Sequence, residues 1–111
     1  MRGKMDKMVE IAKKIITEEL EKKEFKVLKT LLFGSRKRGD YRKNGDWDFL
    51  VILNNDVDFK KKQEINLKIK RRLAGREIPN DIFINPKNYV ERYRKDLGGI
   101  PYYASKEGKE I

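Results

Sequence analysis

The sequence contains no cysteine and no histidine. A disulfide framework and a zinc site built from Cys and His ligands are therefore excluded, and so is acid–base catalysis by histidine. Any bound metal must be held by oxygen atoms, which are the ligands that Mg²⁺ and Mn²⁺ prefer.

Long apolar runs are missing as well. No stretch approaches the roughly 20 apolar residues that a membrane-spanning helix needs, and the charged N-terminus lacks the apolar centre of a signal peptide. We therefore expect a cytoplasmic protein with no membrane partner. Hydrophobic residues make up 38% of the 111 residues, which predicts one domain over residues 1–111 with a modest core.

Positive charge dominates, with 28 Lys and Arg residues against 18 Asp and Glu residues and a formal net charge of +10. A field of this sign attracts polyanions, nucleotides and acidic protein surfaces without choosing among them. The segment 36–43 is especially basic. There Arg36 or Arg38 is a candidate for gripping a triphosphate bidentately, and a solvated basic run is the alternative.

Apolar spacing predicts an α/β domain in which helices cover a sheet. The predicted elements are a helix over about 4–23, strands over 27–33, 47–53 and 78–84, a loop over 34–45, and a helix from 59 to about 75. A further helix is predicted to begin with Asn85 as N-cap, to bury Leu97 on its apolar face and to stop at Gly98. The tail from residue 100 is expected to form a short helix and a final strand.

Three aspartates stand at the starts of predicted strands. Asp46 and Asp48 lie two residues apart, so both carboxylates point to one face while Trp47 points to the other and packs under a helix. Two adjacent carboxylates repel each other unless a cation lies between them. If the next strand is a neighbour, Asp81 joins them within roughly 4–7 Å and completes a two-metal site. Ordinary turn residues are the alternative for Asp-x-Asp alone.

Gly34 and Ser35 follow the first predicted strand. A glycine lets the backbone approach a phosphate, and the N–H groups at a helix N-terminus attract anions. The Ser35 hydroxyl can donate a hydrogen bond to a phosphate oxygen. The pair is a candidate nucleotide-binding element, although Gly-Ser after a strand is also typical of a plain helix N-cap.

Two segments, LFGSRKRGD at 32–40 and DWDFLV at 46–51, together resemble the signature of the DNA polymerase β-like nucleotidyltransferase superfamily. The match is closest to its minimal nucleotidyltransferase (MNT) domains. In that pattern Gly-Ser and a spacer with Arg and Gly precede Asp-x-Asp, and a later strand supplies a third aspartate, here Asp81. The resemblance covers nearly the whole chain. One departure is Gly45, where the family usually has serine.

The resemblance implies a polymerase β-like α/β (α+β) fold, in which helices flank a small mixed sheet, and two Mg²⁺ ions, with Mn²⁺ as an alternative. Asp46 and Asp48 would bind metal and triphosphate, while Asp81 would help to bind the catalytic metal and would activate the attacking hydroxyl. ATP or another NTP would be held by four residues: Gly34, Ser35, Arg36 and Arg38.

Many MNT domains act as the antitoxin of a HEPN ribonuclease toxin, some by transferring AMP to a toxin tyrosine. The resemblance therefore implies AMP transfer from ATP to a hydroxyl of a HEPN toxin, with the acceptor supplied by that partner. One alternative is a non-catalytic antitoxin that neutralises the toxin by binding. Another is a small RNA-binding module, which the absence of interleaved basic and aromatic residues on a strand disfavours.

Overall fold

The computed structural model describes residues 4–34 and 47–111, and the side chains of residues 7–34 and 47–111. Its elements in chain order are α1 (Lys4–Glu21), β1 (Val27–Phe33), β2 (Trp47–Leu53), α2 (Phe59–Gly75), β3 (Asn80–Pro86), α3 (Lys87–Tyr93), α4 (Ile100–Glu107) and β4 (Lys109–Glu110). The short helix and final strand expected in the tail are present as α4 and β4. No helix within these ranges is long and apolar enough to cross a bilayer.

The described strands form one mixed sheet in the order β3-β2-β1-β4. β1 runs antiparallel to both β2 and β4, whereas β2 and β3 are parallel. Parallel strands need a crossover connection, and α2 supplies it here. A small mixed sheet with flanking helices confirms the predicted fold class.

Alternate residues of β2 face two different helical layers. Trp47 and Phe49 point toward α1 and α2 and belong to the larger apolar cluster. Leu50 points the opposite way, into a smaller cluster with Phe33 and Val90 beneath α3 and α4. The continuous apolar run of β2 thus reflects a strand covered on both faces. The predicted packing of Trp47 under a helix is confirmed, because its side chain is 1% exposed.

Side chains of α2 also cover the outer edge of β3. Asn66 Nδ2 donates to the carbonyl oxygen of Ile82 at 2.9 Å, and Lys70 Nζ donates to that of Asn80 at 3.3 Å. Carbonyl groups on the open side of an edge strand otherwise invite pairing with another chain. These two contacts therefore satisfy two carbonyl groups at this edge and hold α2 beside the start of β3.

The third strand lies two residues later than predicted. It spans Asn80–Pro86 instead of 78–84, because Asn85 continues the parallel pairing opposite Ile52. The predicted N-cap role of Asn85 is consequently wrong, since Pro86 occupies the N-cap position of α3.

Helix α3 is shorter than predicted. It ends at Tyr93, and a turn follows in which the Asp96 N–H donates to the carbonyl oxygen of Tyr93 at 3.0 Å. Leu97 therefore lies outside the helix and is 82% exposed, so its predicted place on an apolar helix face is wrong.

A charged cluster joins α1 to α2. Arg72 Nη1 lies 2.8 Å from Glu19 Oε2 and 3.0 Å from Glu18 Oε2, and Lys22 Nζ lies 3.5 Å from Glu19 Oε2. Burial alone raises the pKa of Glu19, but the hydrogen bond from Arg72 and the charges of Lys22 and Arg72 outweigh burial and hold that pKa below its usual value. Hydrogen bonds to Glu19 and Glu18 raise the pKa of Arg72.

Arg72→Gln should lower the free energy of unfolding by about 1–2 kcal/mol near neutral pH, because the buried Glu19 carboxylate loses a charged donor. The folded-state pKa of Glu19 lies below its unfolded value, so this contribution is present above the unfolded pKa and is lost as pH falls through the folded pKa. Urea unfolding across an acid pH series measures both effects. The matched control is Arg71→Gln, an exposed arginine of the same helix; equal stability of the two variants would contradict the expectation.

Candidate active site

The parallel pairing of β2 with β3 places Asp48 directly opposite Asp81. Residues opposite each other on neighbouring strands present their side chains on one face, and such strands lie about 4.8 Å apart. Both carboxylates therefore lie side by side at the starts of their strands. Their face is the one beneath α3 and α4, opposite the face of Trp47.

Gly34 lies directly after β1, beside Asp48. Its φ of +81° falls in the left-handed region that favours glycine. A Cβ atom at this position would overlap Asp48 Oδ2. The backbone conformation and the closeness of the carboxylate are thus two separate reasons why a side chain is disfavoured here, and the glycine leaves room for a carboxylate at the site.

Asp81 has a cationic neighbour on α2. Lys70 Nζ lies 3.5 Å from Asp81 Oδ1, and the two side chains are 44% and 48% exposed. An ion pair with that much exposure contributes about 0–1 kcal/mol, so a stronger cation can displace Lys70 from the carboxylate. The sequence does not predict a role for Lys70, because nothing in its spacing separates it from the other lysines of α2.

Four of the predicted site residues lie outside the described residues: Ser35, Arg36, Arg38 and Asp46. Their roles stay predictions, and so does the convergence of Asp46 with Asp48 and Asp81. Among residues 7–34 and 47–111, no group of three or more His, Cys, Asp or Glu side chains could hold a metal ion. The two carboxylates that are described offer hard oxygen donors, the chemistry that Mg²⁺ or Mn²⁺ requires.

An apolar surface adjoins the carboxylates on the same face. The rings of Phe33 and Phe83 have centroids 6.2 Å apart. Phe33 pairs with Asp48 across the sheet, and Phe83 follows Asp81 by two residues on β3. Beyond Phe83 a cavity of about 390 Å³ opens between β3 and the helices α3 and α4. The carboxylates therefore lie between the end of β1 and this cavity.

Most of the chain matches one known protein family. Residues 13–94 match the family model described as "Polymerase beta, Nucleotidyltransferase", and this range contains Gly34, Asp48 and Asp81. The chain belongs to the polymerase beta nucleotidyltransferase family. Family membership confirms the resemblance that the Gly-Ser and Asp-x-Asp segments suggest. The curated proteins include no match to this nucleotidyltransferase.

Solved structures share the fold at low sequence identity. A chain of a toxin–antitoxin complex with AMP-PNP superposes with a TM-score of 0.58 and 18% identity, over 87% of this chain and 69% of that one. A chain of a mutant MntA–HpeT toxin–antitoxin complex gives 0.57 and 18%, over 89% and 70%. A chain from a complex of the tri-AMPylated Shewanella oneidensis HEPN toxin with its MNT antitoxin gives 0.53 and 16%, over 91% and 69%.

Gly34→Ala should lower the free energy of unfolding by about 1–2 kcal/mol, because alanine in the left-handed region is strained and its Cβ would also displace the Asp48 carboxylate. The matched control is Gly75→Ala at the end of α2, where a Cβ meets nothing within 4 Å; it should be neutral or slightly stabilising. Thermal and urea unfolding measure the difference. Wild-type stability of the Gly34→Ala variant would show that the site tolerates a side chain there.

Proposed function

We propose that this nucleotidyltransferase transfers AMP from ATP to a hydroxyl group of a HEPN toxin and thereby acts as its antitoxin. The observation that carries the proposal is the apposition of Asp48 and Asp81 beside Gly34, within a member of a nucleotidyltransferase family. Two structural neighbours support the donor and the acceptor, since one complex contains AMP-PNP and another an AMPylated HEPN toxin.

The proposed metal ligands are Asp46, Asp48 and Asp81. Divalent metal, Mg²⁺ in this proposal, supplies positive charge to the phosphate oxygens when it is bound. The acceptor oxygen bonds to the α-phosphorus, the bond to the β-phosphate oxygen breaks, and pyrophosphate leaves. Asp81, whose side chain is half exposed, is the proposed acceptor of the hydroxyl proton, because it can meet an incoming partner.

The triphosphate is assigned to the segment that follows β1. Gly34 keeps the backbone close to the Asp48 carboxylate, so phosphates bound by this backbone would lie beside the metal ligands. Ser35, Arg36 and Arg38 are the proposed phosphate donors, with the two arginines able to bind bidentately. Lys70 balances the charge of Asp81, and because this exposed pair is weak, it would not prevent the carboxylate from holding a metal ion.

A binding-only antitoxin is the second candidate. The chains that share the fold come from complexes of toxins with antitoxins, and formation of such a complex could by itself block a ribonuclease. The two candidates differ in one measurable respect, because only the first leaves a covalent AMP group on the toxin.

Asp48→Asn and Asp81→Asn should each reduce AMP transfer by about 100-fold or more, because loss of even an outer-sphere metal contact commonly costs 10–100-fold. The matched control, Asp56→Asn, changes an exposed aspartate beyond the far end of β2 and should retain transfer. Each variant is incubated with ATP, Mg²⁺ and the HEPN toxin of the neighbouring reading frame, and mass spectrometry of the toxin reports the added AMP.

Complex formation is measured in parallel by size-exclusion chromatography, and toxin activity by RNA cleavage. If the wild-type protein stops RNA cleavage by the toxin but leaves the toxin unmodified, AMP transfer is refuted and the binding-only antitoxin is supported. A toxin that is neither modified nor bound would refute both candidates.

A further inference from the structure

The cavity beyond Phe83 lies on the sheet face that carries the two carboxylates. Asp81, Phe83 and Asn85 alternate along β3, so their side chains share that face. At a rise of about 3.3 Å per residue, Phe83 lies roughly 7 Å and Asn85 roughly 13 Å from Asp81 along the strand. The distance from the proposed position of the α-phosphate to the cavity is therefore about the distance that the sugar of a nucleotide spans.

The walls of this cavity combine aromatic rings with two polar groups. Tyr89 and Tyr93 come from α3, with ring centroids 4.7 Å apart and ring planes tilted by 47°. Two polar residues, Asn85 of β3 and Asp96 after α3, also line the cavity. Aromatic faces stack on nucleobases of any kind, whereas an amide that both donates and accepts matches the N6 and N7 edge of adenine. A carboxylate accepts a hydrogen bond from an exocyclic amine.

We propose that this cavity, the base pocket (Phe83, Asn85, Tyr89, Tyr93, Asp96 and Ile100), binds the nucleobase of the donor nucleotide and selects adenine over uracil. The assignment rests on the proposed function, because it presumes a nucleotide donor with its α-phosphate at Asp48 and Asp81. Stacking on the tyrosines provides affinity. Asp96 provides selectivity, because a carboxylate accepts from the amine of adenine and repels the O4 oxygen of uracil.

The acceptor side chain is the competing occupant, and the distance from Asp81 to Asn85 disfavours it. An acceptor tyrosine needs its hydroxyl at Asp81, and its ring would reach toward Phe83. Asn85 lies roughly 13 Å from Asp81 along the strand, so such a ring is too short to contact it. The sugar of a nucleotide carries its base further from the α-phosphate.

The test is calorimetric titration of the full chain, with Mg²⁺, by three probes: ATP, UTP and inorganic tripolyphosphate. Wild-type protein should bind ATP about tenfold or more tightly than UTP, in keeping with the discrimination that one well-placed base contact provides. Tyr93→Ala should weaken ATP binding by about tenfold and leave tripolyphosphate binding unchanged. Asp96→Asn should reduce the difference in affinity between ATP and UTP, because an amide can pair with either base.

The matched control is Tyr103→Ala, a tyrosine of α4 that is 43% exposed and lies outside the cavity; it should bind all three probes as the wild type does. Tripolyphosphate binding also reports whether a variant is folded. Should Tyr93→Ala lose it, Tyr89→Ala takes its place, because that ring is already 44% exposed.

Equal affinity of the wild type for ATP and UTP would overturn the base pocket. So would a Tyr93→Ala variant that binds ATP normally but has a raised KM for the toxin, since the cavity would then hold the acceptor. Base-selective binding without modification of the toxin would support the base pocket and refute AMP transfer. AMP transfer by a protein that binds both nucleotides equally would support the transfer and refute the base pocket.

Discussion

The register between β2 and β3 is the constraint on which the rest of the site depends. Asp48 meets Asp81 only in this register, and a shift of one residue would turn every side chain of β3 to the opposite face. Asp81 would then enter the larger core, and Ile82 and Ile84, which are 5% and 2% exposed, would leave it. Loss of burial at each isoleucine costs up to about 1.5–3 kcal/mol. Apolar packing on one face of β3 thus fixes the position of a carboxylate on the other.

Helix α2 couples this register to the stability of the whole chain. Its apolar side buries Ile65, Ile69 and Leu73 against the sheet and α1. Its polar side chains hold neighbours on two sides, with Arg72 on Glu19 of α1 and Lys70 at the start of β3. The helix that makes the crossover between the parallel strands is therefore the same helix that balances the charge of Asp81. A disturbance of α2 should reach the candidate site through β3.

An element is predicted well from the sequence where the residues that fix its two ends lie next to it in the chain. The bounds of β1 and β2 agree with the sequence prediction, because polar residues or glycine bound each apolar run. The apolar Ile78 predicts a start of β3 that is two residues too early. This side chain is fully buried, but its N–H donates to the carbonyl oxygen of Leu73 at the end of α2 and not within the sheet. Apolar periodicity predicts that a residue is buried. It does not distinguish a residue that packs against the end of a helix from one that belongs to a strand.

The candidate site likewise contains residues that the sequence predicts and one that it does not. That Asp81 stands opposite Asp48 followed from the sequence only on the condition that their strands are neighbours, a fact of topology that the family resemblance supplied. Lys70 has no feature in the sequence that marks it as a site residue. Helix α2 has seven basic residues, at 60–62, 68 and 70–72, and only tertiary packing brings one of them to β3.

The motif predicts that Gly34 lets the backbone approach a phosphate. In the structure the Asp48 carboxylate already occupies the space beside it, so the glycine is required before any nucleotide binds. A residue that the motif assigns to the nucleotide therefore also positions a candidate metal ligand, and this shared requirement ties the end of β1 to the chemistry at the start of β2.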